Sequence, residues 1–381
     1  MADSQQQQQP SESAPPHGSE HIALIGVGAI GISFLALHLT YTAARVSVFD
    51  PRPDLKEHVA AILPLYLPST SQSSASPESS GISVEQLTVS GRLRFCSTLR
   101  DAVQHATIVQ EQGPEHLPFK QRTWSEVLRY VSAETHLWSS TSGIPASQQL
   151  AHLTTSTSSS QGDVGTTTTA AASNSDLSDE TIASARSRLL IVHPFNPPHL
   201  MPLLELVPSP HTSPAATGFA KTYFGSLGSI HRPITIHKET PGFVANRLSF
   251  ILFREACRLV ASGVCTARDL DEIVRASLGP RWAVAGPFQM YNFGGGARGM
   301  RGFLDNIGEA IDAVWSDDAE KVSMRDDDDS GWKDVVVEQT ATAYGMPSAE
   351  DIRRRDRGLK AVVRVQEELE REQEQEQGQD A

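Results

Sequence analysis

An α/β fold, with a doubly wound parallel sheet followed by an all-α C-terminal domain, is what this 381-residue sequence predicts. Three observations carry the prediction. The stretch from His21 to Asp50 reads as strand, glycine turn, helix, strand and acid. Apolar runs of strand length then recur as far as Val207 with helical segments between most of them, the alternation expected of a largely parallel sheet. From Pro241 onward the strand pattern stops, and Phe243 to Val260 places apolar residues at helical spacing.

The first 19 residues, Met1-Ala-Asp-Ser with a glutamine run and a polar stretch, contain no Arg or Lys and no apolar core. They read as a disordered tail and resemble neither a signal peptide nor a mitochondrial presequence. The first strand, His21 to Ile25, leads into Gly26-Val-Gly28-Ala29-Ile30-Gly31, an amphipathic segment to Ala44 and a second strand, Val46 to Phe49, ending at Asp50. In this context the glycines have separate tasks. Gly26 permits a tight turn, Gly28 lets a pyrophosphate approach the backbone, and Gly31 lets helix pack on strand, so that the helix N-terminus faces phosphate. Asp50 stands nineteen residues past Gly31, where a carboxylate accepts from an adenosine ribose and repels a 2′-phosphate. The segment therefore predicts a Rossmann-type fold and NAD in preference to NADP; Arg52 reads as solvated.

Asp54 to Leu67 reads as a helix carrying Pro64, and Ser69 to Ser80 as a flexible loop. Strands are expected at Leu93 to Cys96, Thr107 to Gln110, His136 to Ser140, Leu189 to Val192 and Leu203 to Val207. A Ser/Thr/Ala/Gly tract from Thr154 to Asp179 is too long for a connection inside a compact domain and reads as a disordered insertion. Beyond Phe243 to Val260, helices are expected around Leu270 to Leu278 and Phe303 to Val314, with Arg298 to Gly308 forming a loop. The expected domains are 20–237 for dinucleotide binding, with insertions near 69–80 and 154–179, and 238–330 for a helical substrate and dimerisation domain. Residues 331–381 form an acidic peripheral tail in which Ser348 to Gln377 reads as a charged helix.

The formal charge is −13, concentrated at Asp326 to Asp329 and in the tail after Glu367, which argues against nucleic acid as a partner. Three scattered cysteines, at 96, 257 and 265, offer neither a zinc site nor a disulfide framework and suit a reducing compartment. No metal site is expected. No apolar run approaches a membrane span, so no membrane partner is expected and cytosol is the expected location.

The residues that carry chemistry sit near the ends of the expected elements. Oxidising a secondary alcohol with NAD requires a base for the hydroxyl proton, and His193, at a strand end before Pro194-Phe-Asn-Pro-Pro198, is the candidate. Glu205, twelve residues on, is placed to bond the far ring nitrogen, fix the tautomer and stabilise imidazolium. Ser142, in Ser139-Ser-Thr-Ser-Gly143, and Asn246, near the start of the first long helix of the second domain, are candidates for holding the substrate oxygen.

The order and context of these residues resemble the L-3-hydroxyacyl-CoA dehydrogenase family, particularly the branch containing L-gulonate 3-dehydrogenase (lambda-crystallin) and carnitine dehydrogenase. The matching segments are Gly26 to Gly31, Gln110-Glu-Gln-Gly-Pro-Glu115 with Lys120, Ser139 to Ser142, His193 to Pro198, Leu203 to Val207, Gly242-Phe-Val-Ala-Asn-Arg247, and Gly279-Pro-Arg-Trp-Ala283 with Gly286-Pro-Phe288. They span roughly residues 20 to 316. The resemblance implies the same substrate and base roles for Ser142, His193, Glu205 and Asn246. It also places Glu115 and Lys120 around the cofactor, where the residues alone suggest an exposed helical pair. It implies a homodimer formed through the helical domain.

The leading expectation is thus an NAD-dependent dehydrogenase that converts an L-3-hydroxyl to the 3-oxo product, on an acyl-CoA or a related 3-hydroxy acid. After Asp50 only Arg52 and Lys56 are basic, which leans away from CoA phosphates and toward a small free acid such as L-gulonate or carnitine. Arg281 and Arg247 are candidate partners for such an acid, or else structural ion-pair members. Two other classes stay open: a non-catalytic NAD(H)-binding protein of the crystallin kind, against which the intact His193 and Glu205 argue, and an interaction hub acting through the Ser/Thr tract and acidic tail.

Overall fold

The computed structural model describes residues 17–67, 83–153, 177–317, 331–344 and 348–379. The expectations for residues 69–80, for the acidic run 326–329, for most of the first 19 residues and for nearly all of the Ser/Thr tract fall outside these. Two compact units divide the chain, Met1–Val244 and Ala245–Ala381.

The first unit runs β1 (His21–Ile25), α1 (Ala29–Tyr41), β2 (Arg45–Phe49), α2 (Leu55–Tyr66), α3 (Val84–Val89), β3 (Leu93–Phe95), α4 (Leu99–Val103) and β4 (Ile108–Glu111). It continues α5 (Leu117–Val127), β5 (His136–Ser139), α6 (Ala146–Gln149), α7 (Asp179–Arg188), β6 (Leu189–Pro194), β7 (Leu203–Pro208), α8 (Pro214–Gly225) and β8 (Arg232–Thr235). The strands form one sheet in the order β3-β2-β1-β4-β5-β6-β7-β8. All neighbours are parallel except β6 and β7. The sheet is that of a doubly wound Rossmann-type fold, with the change of winding direction between β1 and β4, where such sheets bind ligand. β8 is an addition to the sequence reading, since Arg232-Pro-Ile-Thr235 is short, half-exposed and begins next to a proline at the sheet edge.

Helices cover both faces, so strand residues of either parity are buried and the strands read as continuous apolar runs. Ile22 and Leu24 join Phe34, Leu35, Val59 and Tyr223 on one face. Ala23 and Ile25 join Trp124, Val127, Ile182 and Phe243 on the other. Helix starts follow local chemistry: Ser178, Ser213 and Thr266 cap α7, α8 and α10 (Ala267–Ala276) by accepting from backbone N–H groups.

The second unit is helical: α9 (Ala245–Ala261), α10, α11 (Leu278–Val284), α12 (Pro287–Gly294), α13 (Gly299–Trp315), α14 (Trp332–Tyr344) and α15 (Ala349–Gln379). Residues 299–308, expected as a loop, are the first turns of α13. Gly299 and Gly302 serve packing, because a Cβ on Gly302 would lie 2.6 Å from the Gly295 carbonyl at the end of α12 and one on Gly299 would lie 2.7 Å from the Asn292 side chain. The unit includes α14, whose Trp332 is buried, and α15, whose side is tied to α11 by a Gln366 amide donating to the Ala283 carbonyl (2.7 Å). Among the described residues, no helix is long and apolar enough to cross a membrane.

Candidate active site

The turn after β1 has the shape its glycines demand. Gly26 has φ +89°, and a Cβ there would meet the Gln112 backbone at 3.1 Å; a Cβ on Gly31 would lie 2.0 Å from the Gly26 carbonyl oxygen. Around Gly28, by contrast, there is open space. Gly28 is the N-cap of α1 and supplies no side-chain cap, and the first turn, which includes Ala29, Ile30 and Gly31, has no acid. The N-terminal N–H groups of α1 are therefore available to a diphosphate.

Asp50 lies at the end of β2, and its two oxygens accept from Val27 N (2.8 Å) and Arg52 N (3.0 Å). Each carboxylate oxygen has two lone pairs, so the group fixes the glycine turn and keeps acceptor capacity for ribose hydroxyls. Arg52, expected to be solvated, pairs at the surface with Asp54 at 2.9 Å, because its short loop brings the two together. The Gln112 carboxamide lies beside this turn with both polar atoms buried and unpartnered among the described residues. A cradle without side chains, an uncapped helix start, an acid at the ribose position and an orphaned amide all fit a dinucleotide.

Alternation along the strands brings the remaining groups to the face of the sheet that Ile25, Val109 and Ile191 share, at its C-terminal edge. In the antiparallel β6–β7 ladder His193 stands directly opposite Glu205. His193 Nδ1 lies 2.8 Å from Glu205 Oε2, both side chains are almost fully buried, and Val244 N donates to Glu205 Oε1 at 3.0 Å. An ionised Glu205 accepts from Nδ1–H, which leaves Nε2 as the basic nitrogen of neutral imidazole. The Phe243 ring packs on the imidazole with centroids 5.2 Å apart.

Glu115 and Lys120, placed around the cofactor by the resemblance, do not form the exposed helical pair that the residues alone suggest. Lys120 is wholly buried and binds both oxygens of Glu111, at 3.0 and 2.9 Å. Glu111 in turn accepts from Gly113 N (2.7 Å) and Ser139 Oγ (2.9 Å). Glu115 turns to the loop after β5, accepting from the Thr141 hydroxyl, from Ser142 N (3.2 Å) and from Gly143 N (3.0 Å). The cause is the entry into α5. Residues 112–116 form a turn that leaves Glu115 outside the helix, while α5 presents the face of Lys120, Trp124 and Val127 to the sheet. Ser142 is exposed on this loop, and Asn246 is the second residue of α9, in the second unit. Sequence reading missed Glu111. An acid as the last residue of an apolar strand, with a lysine nine residues on in an amphipathic helix, was the available signal.

Comparison with known proteins bears on the family and the fold. The model for the NAD binding domain of 3-hydroxyacyl-CoA dehydrogenase matches residues 21–162 and 155–240, and that for the C-terminal domain of the same enzyme matches 242–324. The chain is 31% identical over 362 residues to L-carnitine dehydrogenase of Streptomyces griseus, covering 95% of this chain and 94% of that enzyme. It is also 31% identical to L-carnitine dehydrogenase of Mesorhizobium japonicum, covering 90% and 82%. Among solved structures, an NAD-dependent 5-formyl-3-hydroxy-2-methylpyridine 4-carboxylic acid 5-dehydrogenase matches with TM-score 0.65 and 24% identity over 91% of this chain and 98% of its own. A 3-hydroxyacyl-CoA dehydrogenase from Archaeoglobus fulgidus matches with TM-score 0.52 and 20% identity over the same shares. These two likenesses establish the fold.

Proposed function

The chain belongs to the 3-hydroxyacyl-CoA dehydrogenase family, and we propose that within it the protein oxidises the hydroxyl of a small free 3-hydroxy acid of the carnitine kind, with His193 as base. That it is an NAD-dependent dehydrogenase acting on a CH–OH group follows from the family and its relatives. The observation that carries the mechanism is the buried His193–Glu205 pair. Bound NAD supplies the hydride acceptor. Glu205 holds Nδ1–H, so that Nε2 takes the hydroxyl proton, and the carboxylate stabilises the imidazolium that results. Ser142 and Asn246 position the substrate oxygen, and Gly26, Gly28, Ala29, Ile30, Gly31 and Asp50 hold the dinucleotide. Glu115 acts on the cofactor side by shaping the Ser142 loop, and Lys120 by anchoring Glu111.

Support for a free acid comes from the relatives named L-carnitine dehydrogenase and from the pairing of Arg52 with Asp54, which leaves Lys56 as the basic group on that segment. The second unit exposes Leu248, Phe250, Ile251 and Phe253 of α9, each at least half open to solvent. Apolar surface on that scale supports a homodimer formed through α9. Three thiols, all free, support a reducing compartment such as the cytosol.

The test is NADH formation by the purified protein with L-carnitine, L-gulonate, L-3-hydroxybutyrate and L-3-hydroxybutyryl-CoA side by side. We expect a rate on free acids, highest with L-carnitine. A rate confined to the thioester overturns the substrate assignment. His193→Ala should lower turnover about 10²- to 10⁴-fold with NADH binding intact.

A further inference from the structure

Phe243 is one of two non-glycine residues with positive φ among those described, at +50°, and its side chain has no exposed surface. It follows Gly242, at φ +73°. A bulky residue in the left-handed region persists only where its surroundings over-determine it. A glycine would adopt this backbone without strain, so the ring is what distinguishes the position. The side chain belongs to the core cluster that includes Ile25, Val109, Ile191 and Val207, and its ring lies 5.2 Å from the His193 imidazole, centroid to centroid, at 54°.

The backbone consequence is equally specific. Phe243 N–H closes a turn onto the Thr240 carbonyl (3.0 Å), and the next N–H, of Val244, points to Glu205 Oε1 (3.0 Å) while Oε2 engages His193. The dyad is thus held at two places by one residue: at the carboxylate through the turn that Phe243 closes, and at the imidazole through its ring. We propose that Phe243 is a positioning residue for the His193–Glu205 dyad, its left-handed backbone delivering the Val244 N–H to Glu205 and its ring bracing the imidazole. This inference rests on His193 being the base.

The test compares wild type, Phe243→Leu and His193→Gln by kcat on the best substrate, NADH affinity by fluorescence titration, and the low-field proton resonance of the His193 Nδ1–H, assigned by its loss in His193→Gln. Leucine keeps apolar bulk but not the flat ring. We expect Phe243→Leu to bind NADH as wild type does, to lose kcat by about tenfold or more, as small misplacements of catalytic groups do, and to shift or broaden the resonance. A kcat within about twofold of wild type with an unmoved resonance, or a loss traced entirely to weaker NADH binding, overturns the proposal. Should Phe243→Leu fail to fold, replacing the Val244 backbone N–H by an ester oxygen removes the donor alone. The same loss of kcat and shift of resonance is expected there, and their absence is equally fatal. Full activity in His193→Gln would overturn the base assignment and this proposal with it, whereas an inactive His193→Gln beside a fully active Phe243→Leu defeats the positioning role alone.

Discussion

Replacing Glu205 by glutamine tests the dyad most sharply, because the substitution keeps shape and removes one charge. The wild-type carboxylate accepts from His193 Nδ1–H at 2.8 Å on one oxygen and from Val244 N–H at 3.0 Å on the other. A carboxamide cannot satisfy both, since it has one acceptor oxygen. With that oxygen toward Val244, the amide NH₂ faces Nδ1 and selects the tautomer that carries its proton on Nε2, which is useless as a base. With the oxygen toward His193, two N–H groups confront each other. The electrostatic loss is of similar size. A unit charge pair 2.8 Å apart attracts by roughly 6 kcal/mol at an effective dielectric near 20. The amide dipole keeps part of that, so about 3 kcal/mol of imidazolium stabilisation disappears, roughly two decades in rate. Together with the wrong tautomer, kcat should fall about 10²- to 10⁴-fold. Steady-state NADH formation measures the loss, NADH titration should show an unchanged Kd, and a thermal melt checks the fold. A fall smaller than about tenfold in a folded, NADH-binding Glu205→Gln refutes the reasoning.

Three further outcomes follow from the same geometry. Asp50→Ala should weaken NAD binding about tenfold and narrow the preference over NADP, because it removes the ribose acceptor and its charge; equal titrations of NADH by variant and wild type would contradict the assignment. Glu111→Gln leaves the wholly buried Lys120 ammonium without its anion, so urea unfolding should show a loss of about 3–5 kcal/mol, whereas Glu111→Leu combined with Lys120→Met should lose much less. Burial holds the His38 imidazole down at about 4, against 6.5 unperturbed. The folded state therefore excludes a proton that the unfolded chain takes up. The His38 contribution to stability is whole above pH 6.5, falls by about 3 kcal/mol as the pH drops toward 4 and levels off below it; His38→Gln, able to keep a bond to Gln110 or Tyr223, should show a flatter loss over that window.

What was legible in the chain was whatever local pattern encodes. Gly26 to Gly31 between two apolar runs, with Asp50 at the end of the second, specifies strand, turn and helix within thirty residues, and the structure forms those elements with Asp50 accepting from the turn at Val27 N. Partner choice across the fold was not legible in that way. Glu115 and Lys120 sit five apart and read as helical neighbours, yet one caps the loop after β5 and the other is buried on Glu111. Nothing in local periodicity says that a turn at 112–116 separates them. Gly299 and Gly302 misled for a related reason: a loop and a close helix approach both call for small residues, and only the neighbouring helix distinguishes the two.

The antiparallel β6–β7 pair shows where topology and chemistry meet. His193 is the fifth residue of β6 and Glu205 the third of β7. Had β7 run parallel to β6, the start of β7 would lie at the opposite edge of the sheet from the end of β6, and Glu205 could not reach His193 near the C-terminal end of β6. The reversal brings both to the C-terminal edge and pairs them directly. It was implicit in the sequence, since residues 195–202 are too few for the dozen or more that a parallel crossover needs. A spacing of twelve between a histidine and a glutamate on successive apolar runs is therefore more than a coincidence of residue types. Only a hairpin can bridge so short a connection, and a hairpin of this register sets imidazole against carboxylate within the dry edge of the sheet, where an unpaired carboxylate would be costly and a paired one orients the base.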